Sequence, residues 1–479
     1  MRVFRHRRWR FAALLLLAAL APAGCSDKPA AEKPSIVLIL VDTLRADYLG
    51  SYGFRGPISP NLDRLARESI VFDRAYSQAP WTKPAIATLF TGLEVPVHQV
   101  TTHRGEFGEA AGPRRRKGVE TDALPEQAET LAEALAAAGY ETAAIVTNPW
   151  IRPKHGFAQG FDKFDDRLAA NDTRAERVLE AASAWLARRN PERPWFLYLH
   201  FMDVHDPYDA PDEDVDAVRA SESFGENMRL RRAQLPGGMM IGMKSRRLEW
   251  VETDAVYDLR EWRVRYAAGV HAFDRRLAGF LDELRANGTL DRSVVVVTSD
   301  HGEELYENGD WAHGKNLHNH QLHIPLFVRL PGGAQGGRRV ADLAALTDVM
   351  PTLLGLAGAA VPKSVQGRDL LAPQDESRPP RTAVFASGVK WHPDEHAVQS
   401  RDRKLIRNLR TGRTDLFDTV ADPWERSDVA DERAVEVFQL GEVLDRHLAE
   451  AARHPGIGRA TAEIDPESQE RLRSLGYLE

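Results

Sequence analysis

The hydrophobic pattern of the chain is dominated by short apolar runs rich in β-branched and aromatic residues. The first is Ser35-Ile-Val-Leu-Ile-Leu-Val41. Others occupy 142–147, 195–200, 293–299 and 325–330. Continuous runs of this length read as strands buried on both faces, as in a parallel sheet. Between them lie segments with helical periodicity at 129–138, 172–189 and 261–287. Strands alternating with helices predict an α/β fold, a doubly wound, mostly parallel central sheet with helices on both faces. After Gly333 the pattern changes. A helix is expected from Asp348, short strands near 383–386 and 404–408, and a polar helix over 434–451. This predicts a small C-terminal α+β subdomain at 376–479 beside a catalytic domain at 35–375. Segments 104–121 and 211–255 show no period and read as surface insertions.

In open α/β sheets ligands bind beyond the carboxyl ends of the strands. The polar residues that end the runs should therefore meet in space. They are Asp42, Thr147-Asn148, the stretch 200–205, and Asp300-His301.

The N-terminus adds a destination. Arg2, Arg5, Arg7, Arg8 and Arg10 precede an apolar stretch that starts at Phe11 and is too short for a comfortable membrane span. Residues 1–24 read as a signal peptide and 25–34 as a polar, proline-bearing tether. Cys25 is the sole cysteine and sits at the expected cleavage point, in a setting that resembles a bacterial lipoprotein box. The expectation is an exported protein of the bacterial periplasm or cell envelope, held to a membrane by a lipid on Cys25. No disulfide can form within the chain. The net charge of −7 leaves no basic footprint, so nucleic acid is not an expected partner.

Several segments carry candidate chemistry. Asp42 ends a buried strand, where a carboxylate is expensive unless it is paired or binds metal. Asp47 lies further on and reads as a turn cap. Thr82-Lys-Pro-Ala-Ile86 reads as a loop that opens a helix, whose N-terminal N–H groups favour an anion. Asp300-His301-Gly302 leaves another buried strand on a turn, and adjacent carboxylate and imidazole can wrap one cation. That donor mix suits Zn²⁺ or Mn²⁺ better than Ca²⁺ or Mg²⁺. His205 and the pair His313-Gly-Lys315 complete the set.

In order and spacing these segments resemble the sulfatases of the alkaline-phosphatase superfamily, over about residues 35–332. The tail string Asp415-Leu-Phe-Asp-Thr-Val-Ala-Asp-Pro is similar to the family's closing strand motif, and 472–478 recurs in one bacterial branch. The resemblance implies one divalent metal bound by Asp42, Asp300, His301 and Thr82, with Thr82 the nucleophile. It implies that Lys315, His205 and His313 hold the substrate's non-bridging oxygens or protonate the leaving group. Asn148 stands where many sulfatases bind substrate with a lysine. Thr43 replaces a second Asp, and His301 replaces the Asn of calcium sulfatases. Asp203, His205, Asp209 and His313 leave room for a second metal, although their spacing departs from that of two-metal relatives.

One departure matters most. Typical sulfatases carry Cys-x-Pro-x-Arg, or Ser for Cys, and oxidise that residue to formylglycine. Here Thr82, Pro84 and Ile86 occupy those positions. Threonine cannot give the aldehyde, and the arginine is absent. The resemblance is thus to the threonine-nucleophile branch. The expected activity is hydrolysis of an anionic phosphate, phosphonate or sulfate ester through a covalent Thr82 intermediate. Alternatives are a sulfuric ester hydrolase proper, an envelope phospho-headgroup transferase, and a non-catalytic binding module.

Overall fold

The strand residues alternate between two cores, and this fixes the architecture. In a computed structural model, Ile36, Leu38 and Leu40 of the first strand enter one hydrophobic core, while Val37, Ile39 and Val41 enter the other. All six are fully buried, each contributing roughly 1.5–3 kcal/mol from transfer out of water. The structure describes residues 33–101, 103–104, 119–171, 173–220, 229–231, 256–373, 379–390 and 392–474. The expected signal peptide, Cys25 and nearly all of the tether lie outside the described residues, as do most of both insertions.

The central sheet contains β1 (Ser35–Val41), β2 (Ile70–Tyr76), β3 (Glu141–Ile145), β4 (Lys163–Asp165), β5 (Trp195–Phe201), β6 (Ser293–Thr298), β7 (His323–Ile324), β8 (Leu326–Arg329) and β9 (Arg339–Ala345). The strands β6, β1, β5, β3 and β4 lie side by side and parallel. Beyond β6 comes β8, antiparallel to both β6 and β2, and β9 then runs parallel to β2. The sheet is mostly parallel, as expected. The run at 325–330, however, enters against its neighbours. The sequence pattern also missed β2, β4 and β9. Asp73-Arg74 interrupts β2, Arg339 and Asp342 interrupt β9, and β4 has three residues.

Helices cover both faces. On one side α1 (Pro60–Arg67), α4 (Ala175–Leu186) and α6 (Leu259–Ala286) bury Leu62, Val178 and Phe273. On the other, α2 (Thr82–Thr91), α3 (Leu131–Ala137) and α7 (Val349–Ala357) bury Ile86, Leu135 and Leu353. Between α4 and α6 in sequence runs α5 (Asp212–Arg219).

A four-stranded antiparallel sheet follows: β10 (Val384–Ala386), β11 (Glu395–Gln399), β12 (Arg403–Asn408) and β13 (Thr414–Asp418). One face packs under α8 (Ala434–Arg453), through Val398, Leu405, Leu416 and Leu444. The other packs through Ala397, Ile406 and Phe417 against Leu317, Leu322 and Tyr76 of the central-sheet half. The chain then returns: Ala460–Ile464 pairs antiparallel with Val119–Ala123. No helix of the described residues is long and apolar enough to cross a membrane.

Candidate active site

Strand register brings the candidate ligands together. Leu40 pairs with Thr298 on one side and with His200 on the other. Asp42 donates its N–H to Phe201 O at 2.9 Å. Asp42, His200 and Asp300 therefore leave adjacent parallel strands at one carboxyl edge. Each offers a ligand atom, and these atoms lie within 4.8 Å of one another. Ser299 Oγ bridges the Val41 and His301 carbonyls at 2.7 and 2.6 Å, which fixes the turn after β6.

The hydrogen bonds leave one atom of each ligand over. Asp300 Oδ1 accepts the N–H groups of His301 (2.9 Å) and Thr43 (3.3 Å), while Oδ2 has no hydrogen-bond partner. Asp42 Oδ2 accepts Asn148 Nδ2 at 2.8 Å and lies 3.4 Å from Thr82 Oγ1, while Oδ1 has no partner. His200 Nε2 likewise has none, and lies 3.7 Å from Asp42 Oδ2. His301 donates Nδ1–H to Gly302 O at 2.8 Å, which turns the Nε2 lone pair inward. That nitrogen is 3.4 Å from Asp300 Oδ2, 3.6 Å from Asp42 Oδ1 and 3.3 Å from Thr82 Oγ1.

All four side chains are fully buried. Burial, and then the charge of Asp300, push the Asp42 carboxyl well above the usual carboxylate range. Burial raises Asp300 as well. Burial, with His301 beside it, drives the His200 imidazole down to about 3 and so keeps it neutral. Two buried carboxyl groups facing the neutral His200 imidazole and the His301 ring, with orphaned oxygens and nitrogen converging, form a donor set that a divalent cation would satisfy.

Thr82 opens α2, a ten-residue helix buried along its whole length and closed by Gly92 at φ +65°. Its hydroxyl thus stands where free N–H groups and the helix dipole favour an anion. The sequence placed Asp42, Thr82, Asp300, His301 and Asn148 in one site, and the structure brings all of these together. Trp150 N–H donates to Asn148 Oδ1 at 2.9 Å, which directs the amide nitrogen at Asp42 and Thr82.

His313 and His205 stand beside them. The His313 ring lies 4.6 Å from that of His301 and 5.1 Å from that of His205, between centroids. His205 donates Nδ1–H to Asp206 O at 2.6 Å. Lys315 departs from expectation. Its ammonium pairs with Asp310 Oδ1 at 2.7 Å, and no described contact joins it to Asp42, Thr82, Asp300 or His301. Asp203, a candidate for a second metal, instead accepts Arg276 Nη1 and Ala175 N–H at 2.9 and 3.1 Å. Asp47 pairs with Arg45. The Thr43 hydroxyl turns back to Asp42 O at 2.7 Å, so it offers the site no oxygen in place of the missing Asp.

Three residues escaped the sequence reading as site members. His200 ends a strand and fell within the stretch expected to converge, but a histidine in an apolar run reads first as a core residue. Glu303 is buried and accepts His313 Nδ1–H at 3.1 Å. Lys83 is buried beside Thr82, with its ammonium 5.5 and 5.1 Å from the rings of Trp81 and Trp150. It donates to Thr121 Oγ1 and, at 3.1 Å, to Asp122 O, and burial pushes it down to about 7. Nothing in a lone Lys-Pro pair signals such a cradle.

An open α/β sheet with a buried carboxylate–imidazole cluster facing a hydroxyl at a helix N-terminus is an arrangement that could hold a metal ion, and the family to which the chain belongs makes it an ester hydrolase of the alkaline-phosphatase-like superfamily. The chain belongs to the sulfatase family: the family model "Sulfatase" matches residues 34–359. A second model, "N-sulphoglucosamine sulphohydrolase, C-terminal", matches 308–453. An arylsulfatase of Clostridium perfringens is 23% identical over 478 residues, covering 87% of this chain and 94% of its own. An N-acetylglucosamine-6-O-sulfatase of Bacteroides thetaiotaomicron is 23% identical and covers 87% and 86%. Among solved structures, one in complex with its substrate D-glucosamine-2-N,6-O-disulfate superposes with a TM-score of 0.68 at 20% identity, over 89% of this chain and 99% of its own. The phosphonate monoester hydrolase of Agrobacterium radiobacter gives 0.67 at 20% identity, over 87% and 96%.

Proposed function

We propose that this chain hydrolyses phosphate, phosphonate or sulfate esters through a covalent intermediate on Thr82, with phosphate-type esters preferred. The observation that carries the reading is the Thr82 hydroxyl, 3.3 Å from His301 Nε2 and 3.4 Å from Asp42 Oδ2, at a helix N-terminus. Asp42, His200, Asp300 and His301 would hold a divalent ion. Two carboxylates and two imidazoles favour Zn²⁺ or Mn²⁺ over Ca²⁺ or Mg²⁺. Bound there, such an ion lowers the pKa of a hydroxyl and offsets charge on a transferring group.

The residues then divide the work. The Thr82 hydroxyl gives up its proton to solvent, and its oxygen bonds to the central phosphorus or sulfur as the bond to the leaving oxygen breaks. His313 and His205 lie beside this centre, and one of the two rings supplies the proton that the leaving oxygen takes up. Asn148 holds Asp42 and the nucleophile in register. Water then attacks the same central atom and returns a proton to the imidazole, and the threonine oxygen is released and takes a proton back from solvent. A formylglycine diol has a second oxygen with which to expel sulfate, whereas Thr82 has one. Release from Thr82 therefore needs direct attack on the central atom, a familiar route for phosphoryl groups.

The curated relatives, which carry sulfatase names, favour a second reading, a sulfuric ester hydrolase that tolerates threonine. Rates on matched aryl phosphate, phosphonate and sulfate esters, each with Zn²⁺, Mn²⁺, Ca²⁺ and Mg²⁺, separate the two. Intact-mass and peptide analysis after acid quench should find the phospho or sulfo adduct on Thr82. Thr82→Ala should lower kcat about 10⁴-fold or more while metal stays bound. Retained turnover would place the nucleophile elsewhere.

A further inference from the structure

The turn that carries His313 and Lys315 is held from the C-terminal sheet by a buried ion pair. Lys404 of β12 and Glu425 beyond β13 pair at 2.8 Å, and both are buried. Lys404 Nζ also donates to Leu317 O at 3.1 Å and to the Asn319 side-chain oxygen. The other Glu425 oxygen accepts His318 Nδ1–H and Asn319 N–H, both at 2.9 Å. Every one of these bonds lands on residues 317–319, just past Lys315. Phe417 of β13 lies against the His318 ring with centroids 5.2 Å apart.

The turn is stitched again at Gly314, between His313 and Lys315. Gly314 N–H donates to Pro80 O at 2.8 Å, two residues before Thr82, and Lys390 N–H donates to Gly314 O at 2.9 Å. At φ +78° this position favours glycine. One backbone path thus runs from the nucleophile loop through the His313 turn into the segment after β10.

Burying two charges is costly, and exchanging such a pair for apolar side chains is often neutral for stability. A pair placed here is therefore better explained by what it positions than by what it stabilises. We propose that the C-terminal sheet acts as a latch, in which Lys404 and Glu425, by gripping Leu317–Asn319, set where His313 stands relative to Thr82. The inference rests on the proposed role of His313 at the leaving group. Lys404 and Glu425 are positioning residues, since neither reaches the reacting atoms.

The test uses the full chain carrying Lys404→Met with Glu425→Met, which removes both charges and leaves none unpaired. Amide hydrogen exchange over 313–319 should quicken about tenfold or more while α2 stays unchanged. Turnover of alkyl esters, which need a proton at the leaving oxygen, should fall about tenfold further than that of nitrophenyl esters. A purely structural role would lower both by the same factor. Native exchange over 313–319 and an unchanged alkyl-to-nitrophenyl ratio in the folded double variant would overturn the latch. If the double variant does not fold, Glu425→Gln, which keeps the size and an acceptor oxygen, is read by the same exchange and the same ratio. Failure of the Thr82 reading shows separately, as turnover that survives Thr82→Ala, while the exchange measurement still judges the latch.

Discussion

His200 illustrates how one residue changes the metal argument. Its neutral imidazole, held at about pKa 3 by burial, presents an unpartnered Nε2 to the Asp42 and Asp300 carboxylates. Thr147 Oγ1 lies 3.2 Å from its Nδ1 and orients the ring, as outer-shell partners orient metal-ligating imidazoles. Asp300→Ala and His200→Ala should therefore each lose bound metal and activity together, read by elemental analysis beside the rate. Asn148→Ala should keep the metal and lose rate, because its amide touches Asp42 and Thr82 from the side. A His200→Ala protein with full metal content would remove His200 from the ligand set.

At the scale of elements, the segment from Gly302 to Leu322 is closely packed at its start. An added Cβ at Gly302 would lie 2.1 Å from His320 O and 3.0 Å from Arg45 Cγ. Gly302→Ala should cost about 1–3 kcal/mol through this overpacking, seen as a lower denaturation midpoint with loss of activity. The latch also predicts an acid response. Burial raises the Glu425 carboxyl, but Lys404 and His318 outweigh it and hold it at about 2 against an ordinary 4.5. Tyr76 and His320 face the same group. A carboxyl with a depressed folded pKa contributes stability that is present above about pH 4.5 and lost as pH falls towards 2. Glu425→Gln should therefore show a flatter fall in stability over that window, measured by denaturant unfolding at successive pH values. An unchanged slope would mean that the carboxylate contributes nothing there.

At the scale of the whole molecule, the C-terminal sheet is tied to the catalytic half by its own core through Ile406 and Phe417, and the chain returns through Ala460–Ile464 to pair with Val119–Ala123. Neither tie is visible in local periodicity. Delivery belongs to this scale too. We propose that the basic and apolar N-terminus exports the chain and that Cys25 carries a lipid. Cys25→Ser should then move the protein from the membrane to the soluble fraction after osmotic release, and unchanged fractionation would refute the anchor.

The sequence by itself determined strands β1, β3, β5, β6 and β8, because residues buried on both faces must be apolar and cannot hide among polar positions. It also singled out Asp42, Thr82, Asp300 and His301, which lie together in the structure, because a polar residue closing such a strand, or a hydroxyl opening a helix beside a proline, stands out against that background. Tertiary structure decided the rest. The antiparallel entry of β8, the convergence of His200 with Asp42 and Asp300, the pairing of Lys315 with Asp310 and the grip of Lys404 and Glu425 depend on which strands become neighbours and in what register. Those are pairings between segments far apart along the chain, as Leu40 with Thr298, and no local pattern encodes which partner a buried charge or imidazole will meet.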